Sequence, residues 1–189
     1  EKFLVNKVSN FFISLNYKSK ILKAFFQEMK PKFNLSFIDE TKPLGTAGAL
    51  RFLKGKIKKP FLVTNCDTVI NFNIEDLLNF HILHNNDLTL VASAKEYKIP
   101  YGTCHLNKKG YLRKILEKPK FDFLINVGLY VVNPNLLGLI PKKKFYNMTD
   151  LIRDMKKKNK QIGVYPTDEG SWIDVGQWSE YRKAVKRFI

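Results

Sequence analysis

The chain has 189 residues, of which 44% are hydrophobic and 13% aromatic, which is enough apolar material for one domain and excludes a disordered protein. A formal net charge of +16 raises the question of a polynucleotide partner. Most of the positive charge comes from lysines in loops and at helix ends, and the arginines and stacking aromatics typical of single-strand binders are missing. A solvated surface that attracts small anions is therefore favoured. No apolar run reaches about 18 residues and no signal peptide is recognisable, so we expect a cytoplasmic protein without membrane contact.

The first half of the chain predicts alternating strands and helices. In chain order these are strand 11–15, helix 17–29, strand 33–38, a glycine turn opening a short helix through residue 52, strand 61–64, helix 74–84 and strand 88–93. Asn73 is the expected cap of the helix that follows it. This alternation favours a parallel sheet with right-handed crossovers.

The second half begins with a different pattern. It predicts a hairpin of residues 101–106 and 111–117 around a polar turn, strand 123–132, a short helical segment from 133, helix 149–158, strand 162–165 and helix 177–188. There is no internal repeat or linker, so residues 1–189 are predicted to form one domain.

Cysteine and histidine usage indicates no special chemistry. Cys66 and Cys104 are too few for a disulfide framework, and both are expected to be reduced and structural. The three histidines, of which His81 and His84 share a helix face, do not supply a zinc ligand set.

Two aspartates lie where short apolar strands end. Asp67 follows strand 61–64, and Asp174 lies in the segment Trp172-Ile173-Asp174-Val175-Gly176. Ligands of open α/β sheets bind beyond the carboxyl ends of the strands, and two carboxylates brought together there can hold a hard cation such as Mg²⁺. The alternative is that each aspartate caps a neighbouring helix or turn.

The turn at residues 43–49 is the second candidate site. It has neither a Gly-x-Gly-x-x-Gly nor a Walker pattern, although its small residues allow a flat ligand to approach the backbone. A plain turn that starts a helix explains the same residues.

The third candidate site combines Glu117-Lys118 with Tyr101-Gly102 and Asn126-Val127-Gly128. Glu117 could accept hydrogen bonds from sugar hydroxyls while Lys118 meets a phosphate as a point charge. A surface ion pair and simple β-bulges are the alternatives.

Taken together, these segments closely resemble the sugar-1-phosphate nucleotidylyltransferases over nearly the whole chain. The segments that carry the resemblance are, in order, Pro43 to Ala49, Val63 to Asp67, Tyr101-Gly102, Glu117-Lys118-Pro119, Ile125 to Gly128 and Trp172 to Gly176.

The resemblance implies a Rossmann-like α/β fold with a mixed, mostly parallel sheet flanked by helices. It also implies attack of a sugar-1-phosphate on the α-phosphorus of a nucleoside triphosphate, giving an NDP-sugar and pyrophosphate without a covalent enzyme intermediate. By position, Asp67 and Asp174 would hold Mg²⁺ and, with Lys118 on the sugar phosphate, would be the catalytic residues. The implied nucleotide contacts are Leu44, Gly45, Thr46 and Asn65, and the implied sugar contacts are Tyr101, Gly102, Glu117, Asn126 and Gly128.

The chain departs from the family pattern at two places. Cys66 stands where the family usually has glycine, so a side chain crowds a backbone that normally lies close to the nucleotide. The opening strand and the Gly-Gly-x-Gly-Thr-Arg-Leu loop with its Pro-Lys, which wrap the triphosphate, have no counterpart. We therefore expect this chain to be a fragment, inactive alone, with unpaired strand edges.

Nucleotide and sugar identity rest on the resemblance alone. It favours GTP with a hexose- or hexosamine-1-phosphate, for glycan biosynthesis, and it allows a homo-oligomer and upstream cystathionine-β-synthase regulatory domains. Because the triphosphate loop is missing, a non-catalytic module that binds an NDP-sugar or a sugar phosphate is the alternative function.

Overall fold

The computed structural model describes residues 2–6, 8–176, 178 and 181–182. The α-helices are Lys2–Val5 (α1), Ser19–Met29 (α2), Gly45–Gly48 (α3), Ile74–Leu83 (α4) and Met148–Lys157 (α5). The strands are Asn10–Leu15 (β1), Asn34–Asp39 (β2), Phe61–Thr64 (β3), Thr68–Ile70 (β4), Leu88–Lys98 (β5), Thr103–Leu106 (β6), Leu112–Leu116 (β7), Lys120–Val132 (β8), Ile162–Thr167 (β9) and Trp172–Asp174 (β10). Short 3-10 helices lie at Ala49–Leu53, Pro134–Gly138 and Glu169–Ser171.

The central sheet has four strands in the order β3-β8-β5-β9. Strand β8 runs antiparallel to both of its neighbours, whereas β5 and β9 are parallel, so β3, β5 and β9 share one direction. The expected mixed sheet is therefore confirmed: three of its four strands share one direction, although two of its three neighbouring pairs are antiparallel.

Strict alternation along β8 divides the core between the two faces of this sheet. Leu129 and Val131 pack with α4 on one face, while Tyr130 and Val132 pack with α3 and α5 on the other. Because successive side chains of a strand point to opposite faces, both faces of a central strand must be apolar and covered. The result is a three-layer arrangement in which residues 127–132 of β8 are buried between the other two layers.

Strands β1 and β2 form a separate parallel pair. Helix α2 packs on it through Phe26, whose ring centroid lies 6.0 Å from that of Phe37, yet none of the helix residues is fully buried. Ile38 of β2 belongs to the core around α3 and α5, which attaches the pair to the main body. Among the described residues, β1 and β3 each pair with a strand on one edge only.

Two strands extend further than their sequence predicts. Strand β5 continues to Lys98 and β8 begins at Lys120, so the two form an antiparallel ribbon beyond the last β9 pairing, at Ser93 and Thr167. Cross-strand contact supports this exposed ribbon, since the rings of Tyr97 and Phe123 lie 5.9 Å apart. The charged residues of the ribbon concealed it from a search for apolar runs.

Several other predictions need correction or remain open. The expectation that both cysteines are structural is wrong, because Cys66 and Cys104 are exposed. Both are free thiols. Strands β4 and β10, three residues each, were not predicted as a pair because neither has a recognisable period. The predicted helix 177–188 lies almost entirely outside the described residues. In the described part of the chain, no helix is long and apolar enough to span a membrane.

Candidate active site

The two predicted metal ligands meet because β4 and β10 pair. In that antiparallel pair Asp174 lies opposite Thr68, the residue that follows Asp67. The backbone N–H of Val175 also donates to the carbonyl oxygen of Asp67 over 2.8 Å. The pairing brings together two aspartates from distant parts of the chain and holds both backbones in register.

Gly176 leaves the space between the two carboxylates open. A Cβ at this position would lie 2.7 Å from Oδ2 of Asp67 and 3.1 Å from Oδ1 of Asp174. The Gly176 backbone N–H donates to Oδ1 of Asp174 over 2.9 Å and orients that carboxylate. Oxygens of both aspartates therefore face a single small space that only glycine leaves clear.

This donor set suits a hard divalent cation. Carboxylate oxygens are ligands of Mg²⁺, which commonly takes one or two from a protein and completes its shell with water and substrate phosphates. Among the described residues, no group of three or more His, Cys, Asp or Glu side chains could form a cage of protein ligands. Two carboxylates beside an open space are consistent with a metal shared with a phosphate ligand.

Asn65, two residues before Asp67, contacts Gly128 of β8. The backbone N–H of Asn65 donates to the carbonyl oxygen of Gly128 over 3.1 Å, and the Asn65 side chain covers Gly128 so closely that a Cβ there would lie 2.6 Å from Nδ2. Gly128 also has φ +77°, a left-handed conformation that favours glycine. The predicted nucleotide contact Asn65 and the predicted sugar contact Gly128 are thus adjacent.

Buried Tyr130 orients Asn126. The Asn126 Nδ2 group donates to the Tyr130 hydroxyl over 2.7 Å, while its Oδ1 accepts the N–H of Gly128 over 3.0 Å. Burial raises the pKa of Tyr130, and the hydrogen bond from Asn126 opposes that rise. The amide of Asn126 keeps one N–H and one oxygen lone pair for a ligand hydroxyl.

Four further predicted sugar-side residues lie at the strand ends near the hairpin. A Cβ on Gly102 would lie 3.1 Å from Oε2 of Glu117, so the glycine makes room for that carboxylate. Glu117, Lys118 and Tyr101 are exposed, and Lys118 has the unusual φ of +44° for a residue with a side chain. Five other described non-glycine residues also have a positive φ, so this conformation does not by itself single out Lys118.

The turn at residues 43–49 is held by the segment that leads into α5. Tyr146 accepts the N–H groups of Ala47 and Gly48 on its carbonyl oxygen, both over 2.9 Å, and donates its own N–H to the carbonyl of Leu44. The N–H of Thr46 donates to Oδ1 of Asn147 over 3.2 Å. These N–H groups are therefore already satisfied, in agreement with the absence of a phosphate-loop pattern.

The predicted nucleotide contacts in this turn differ in their exposure. Leu44 is only 4% exposed, because its side chain is packed in the core beneath the turn. Gly45 has φ +77°, and a Cβ there would lie 2.6 Å from Asn147. Thr46 is exposed, but its hydroxyl accepts the N–H of Met148 at the start of α5 over 2.9 Å.

Tyr146 is anchored in turn by α5. Its hydroxyl donates to Oδ2 of Asp154 over 2.7 Å. Burial, followed by this hydrogen bond, raises the pKa of Tyr146, whereas the same hydrogen bond lowers the pKa of Asp154. The phenol and the carboxylate therefore remain in their pairing forms across the neutral range.

Sequence reasoning did not identify several of these supporting residues. Tyr146, Asn147 and Tyr130 shape the site without carrying a recognisable motif of their own. Gly176 ends the Trp172 to Gly176 segment, but the motif does not indicate that this glycine leaves room beside the two carboxylates. The other three act through contacts between segments distant in sequence.

The hydroxyl of Thr46 is predicted to stabilise the start of α5. Thr46→Val leaves the N–H of Met148 without its acceptor and should lower the free energy of unfolding by about 1 kcal/mol in denaturant titration. Thr46→Ser retains the hydroxyl, so its free energy of unfolding should lie within about 0.3 kcal/mol of the wild-type value. Equal losses in the two variants would contradict the assigned hydrogen bond.

The contribution of the Tyr146–Asp154 pair to the free energy of unfolding should decrease as the pH is lowered. Because the folded-state pKa of Asp154 is lowered, its contribution is present above the ordinary value of 3.8 and is lost as the pH falls through the folded-state value. The stability difference between wild type and Tyr146→Phe should therefore shrink below about pH 4. In an Asp154→Asn background the same difference should not change with acid; an identical acid dependence there would exclude the pair as its cause.

Comparison with known proteins identifies the family. The nucleotidyl transferase family model matches residues 1–188. The chain is 32% identical over 192 residues to a mannose-1-phosphate guanyltransferase of Gibberella zeae, and 30% identical over 195 residues to one of Saccharomyces cerevisiae. In both cases the match covers 96% of this chain and 52% of the relative, so the chain spans about half the length of these relatives.

Solved structures share the fold. HddC from Yersinia pseudotuberculosis superposes with a TM-score of 0.73 at 23% identity, covering 100% of this chain and 83% of that one. A structure described as a putative glucose-1-phosphate thymidylyltransferase from Bacillus anthracis gives a TM-score of 0.68 at 15% identity, covering 100% and 80% of the two chains. The expected fold is thereby confirmed, and with the family match over residues 1–188 the chain belongs to the nucleotidyl transferase family.

Proposed function

We propose that the protein containing this chain transfers a nucleoside monophosphate from a nucleoside triphosphate to a sugar-1-phosphate. The observation that carries the proposal is the convergence of Asp67 and Asp174 on the space beside Gly176. Family membership supports the reaction class.

In the proposed reaction, an oxygen of the sugar phosphate forms a bond to the α-phosphorus of the triphosphate. The bond between the α-phosphorus and the bridging oxygen breaks, and pyrophosphate leaves with that oxygen and its electron pair. The products are an NDP-sugar and pyrophosphate, and no atom of the protein is transferred. Such a displacement requires mainly positioning and neutralisation of charge.

Each group of residues has a part in this scheme. Asp67 and Asp174 would hold Mg²⁺, which when bound neutralises charge on the phosphate oxygens. Lys118 would meet the sugar phosphate as a point charge. Asn126 offers one donor and one acceptor to sugar hydroxyls, since its other groups bond to Tyr130 and Gly128. Glu117 would accept further hydroxyl donors.

For the substrates we propose GTP and a hexose-1-phosphate, with mannose-1-phosphate as the first to test. Similar relatives are named mannose-1-phosphate guanyltransferases. HddC has also been crystallised in a complex with GMP-PN. On the turn at 43–49, Gly45 and exposed Thr46 are the proposed base contacts.

We propose further that a strand and a triphosphate loop from outside this chain complete the site. The support is that, in the described part of the chain, the β1–β2 pair and the four-stranded sheet are separate, and β1, β2, β3 and β9 each have an edge without a partner strand. Unpaired edges of this kind are normally covered. Activity is accordingly expected of the complete gene product, and not of residues 1–189 alone.

The two aspartates give the most direct test of the proposed reaction. In the complete gene product with Mg²⁺, GTP and mannose-1-phosphate, Asp67→Asn and Asp174→Asn should each reduce pyrophosphate release at least about 100-fold, because each removes a charged metal ligand. Asp122→Asn, which changes an exposed aspartate of β8, should leave the rate unchanged.

Circular dichroism and thermal melting of the same variants would show that the fold persists. Wild-type turnover in both aspartate variants would contradict the proposed site. Absence of turnover in the wild type with every nucleotide and sugar phosphate, together with binding of an NDP-sugar, would instead favour the non-catalytic module.

A further inference from the structure

Glu40 lies between β2 and the turn at 43–49 and bonds to both β1 and that turn. Its backbone N–H donates to the carbonyl of Leu15 over 2.8 Å, and its own carbonyl accepts Nδ2 of Asn16 over 2.8 Å. Its carboxylate accepts the Ser14 hydroxyl on Oε1 and the backbone N–H of Leu44 on Oε2, the latter over 2.8 Å. One residue thus joins the end of β1 to Leu44, the residue immediately before α3.

The carboxylate suits this position because both of its neighbours are donors. A backbone N–H can only donate, and a carboxylate offers an acceptor oxygen to each neighbour at once. Hydrogen bonds to a charged acceptor are also stronger than those between neutral groups. Glu40 therefore fixes the distance between Ser14 and Leu44 through a single rigid group.

Leu44 transmits this constraint to the turn. Its side chain is 4% exposed and packed in the core, and its carbonyl accepts the N–H of Tyr146 over 2.8 Å. Glu40 supplies the bond on the N–H side of the same residue. Both backbone polar groups of Leu44 are therefore hydrogen-bonded, and this residue immediately precedes Gly45 and Thr46.

The neighbouring carboxylate has a different environment. Asp39 forms an ion pair with Lys23 of α2 over 2.7 Å, and its side chain is 59% exposed. Such a surface pair contributes little. Asp39 is thus a matched control, one residue away from Glu40 and without a bond to the turn in the described structure.

We propose that Glu40 is a positioning residue for the nucleotide: it sets the turn at 43–49 in the conformation that receives the base. The proposal rests on the proposed function, because it assigns the turn to the nucleotide. Glu40 acts through Leu44 and does not itself touch the substrate.

The test uses the complete gene product with GTP and mannose-1-phosphate. Glu40→Ala removes both side-chain hydrogen bonds and should raise the KM for GTP roughly tenfold, while kcat and the KM for the sugar phosphate stay within about twofold. Glu40→Gln should restore wild-type behaviour, because its oxygen can accept from Leu44 while its NH₂ donates to the Ser14 hydroxyl. Asp39→Asn should behave as wild type.

Amide hydrogen exchange at Leu44 gives a readout that does not depend on turnover. Exchange should be faster in Glu40→Ala than in wild type and near wild type in Glu40→Gln. Should Glu40→Ala fail to fold, Ser14→Ala removes only the β1 side of the link and should still raise the KM for GTP about threefold.

The possible failures are distinguishable. If the wild type turns over but the KM for GTP is unchanged in Glu40→Ala or Ser14→Ala, or Glu40→Gln is as impaired as Glu40→Ala, the positioning role is overturned. A proportional rise in both KM values would indicate a purely structural role and would overturn it as well. If the wild type shows no turnover at all, the proposed function fails, and unchanged exchange at Leu44 would separately overturn the link.

Discussion

The candidate site depends on one constraint, the pairing of β4 with β10 that brings Asp67 and Asp174 to a common space. Two carboxylates held together repel one another unless a cation or a hydrogen-bond donor lies between them. The N–H of Gly176 donates to Oδ1 of Asp174, and residue 176, which has no side chain, leaves the space beside both carboxylates clear. The arrangement is therefore suited to a cation that binds together with its phosphate ligand.

Strand β8 connects this pair to the other two groups of predicted residues. Its Gly128 is bonded to Asn65, two residues before Asp67, and its Asn126 is held by Tyr130. Tyr130 in turn packs in the same core as Ala47 of the turn at 43–49. Strand β8 thus supports residues proposed for the metal, the sugar and the nucleotide from one element, as precise positioning requires.

The sequence predicted the strands and helices with clear periods, and motif order predicted the aspartates and the family. It could not predict contacts between distant segments that have no period. The β4–β10 pair is three residues long, and the carbonyl of Tyr146 that holds the turn at 43–49 is a backbone group, which any residue carries. The charged ribbon at Lys95 to Lys98 was also missed, because its pairing with β8 overrides a weak local preference. The burial of Leu44 is likewise absent from the motif, which marks the position but not the packing of its side chain.

One divalent cation is proposed to bind between Asp67 and Asp174, and Mn²⁺ binding followed by electron paramagnetic resonance tests this site. The comparison is made on the complete gene product with a non-hydrolysable GTP analogue, between wild type, Gly176→Ala and the control Gly138→Ala. A methyl at 176 need only displace the ends of two aspartate side chains, whereas one at 138 meets only Lys54 Nζ at 3.9 Å. We expect the Mn²⁺ affinity to be weakened about tenfold or more in Gly176→Ala alone, with all three proteins folded. Equal affinity in wild type and Gly176→Ala would contradict it.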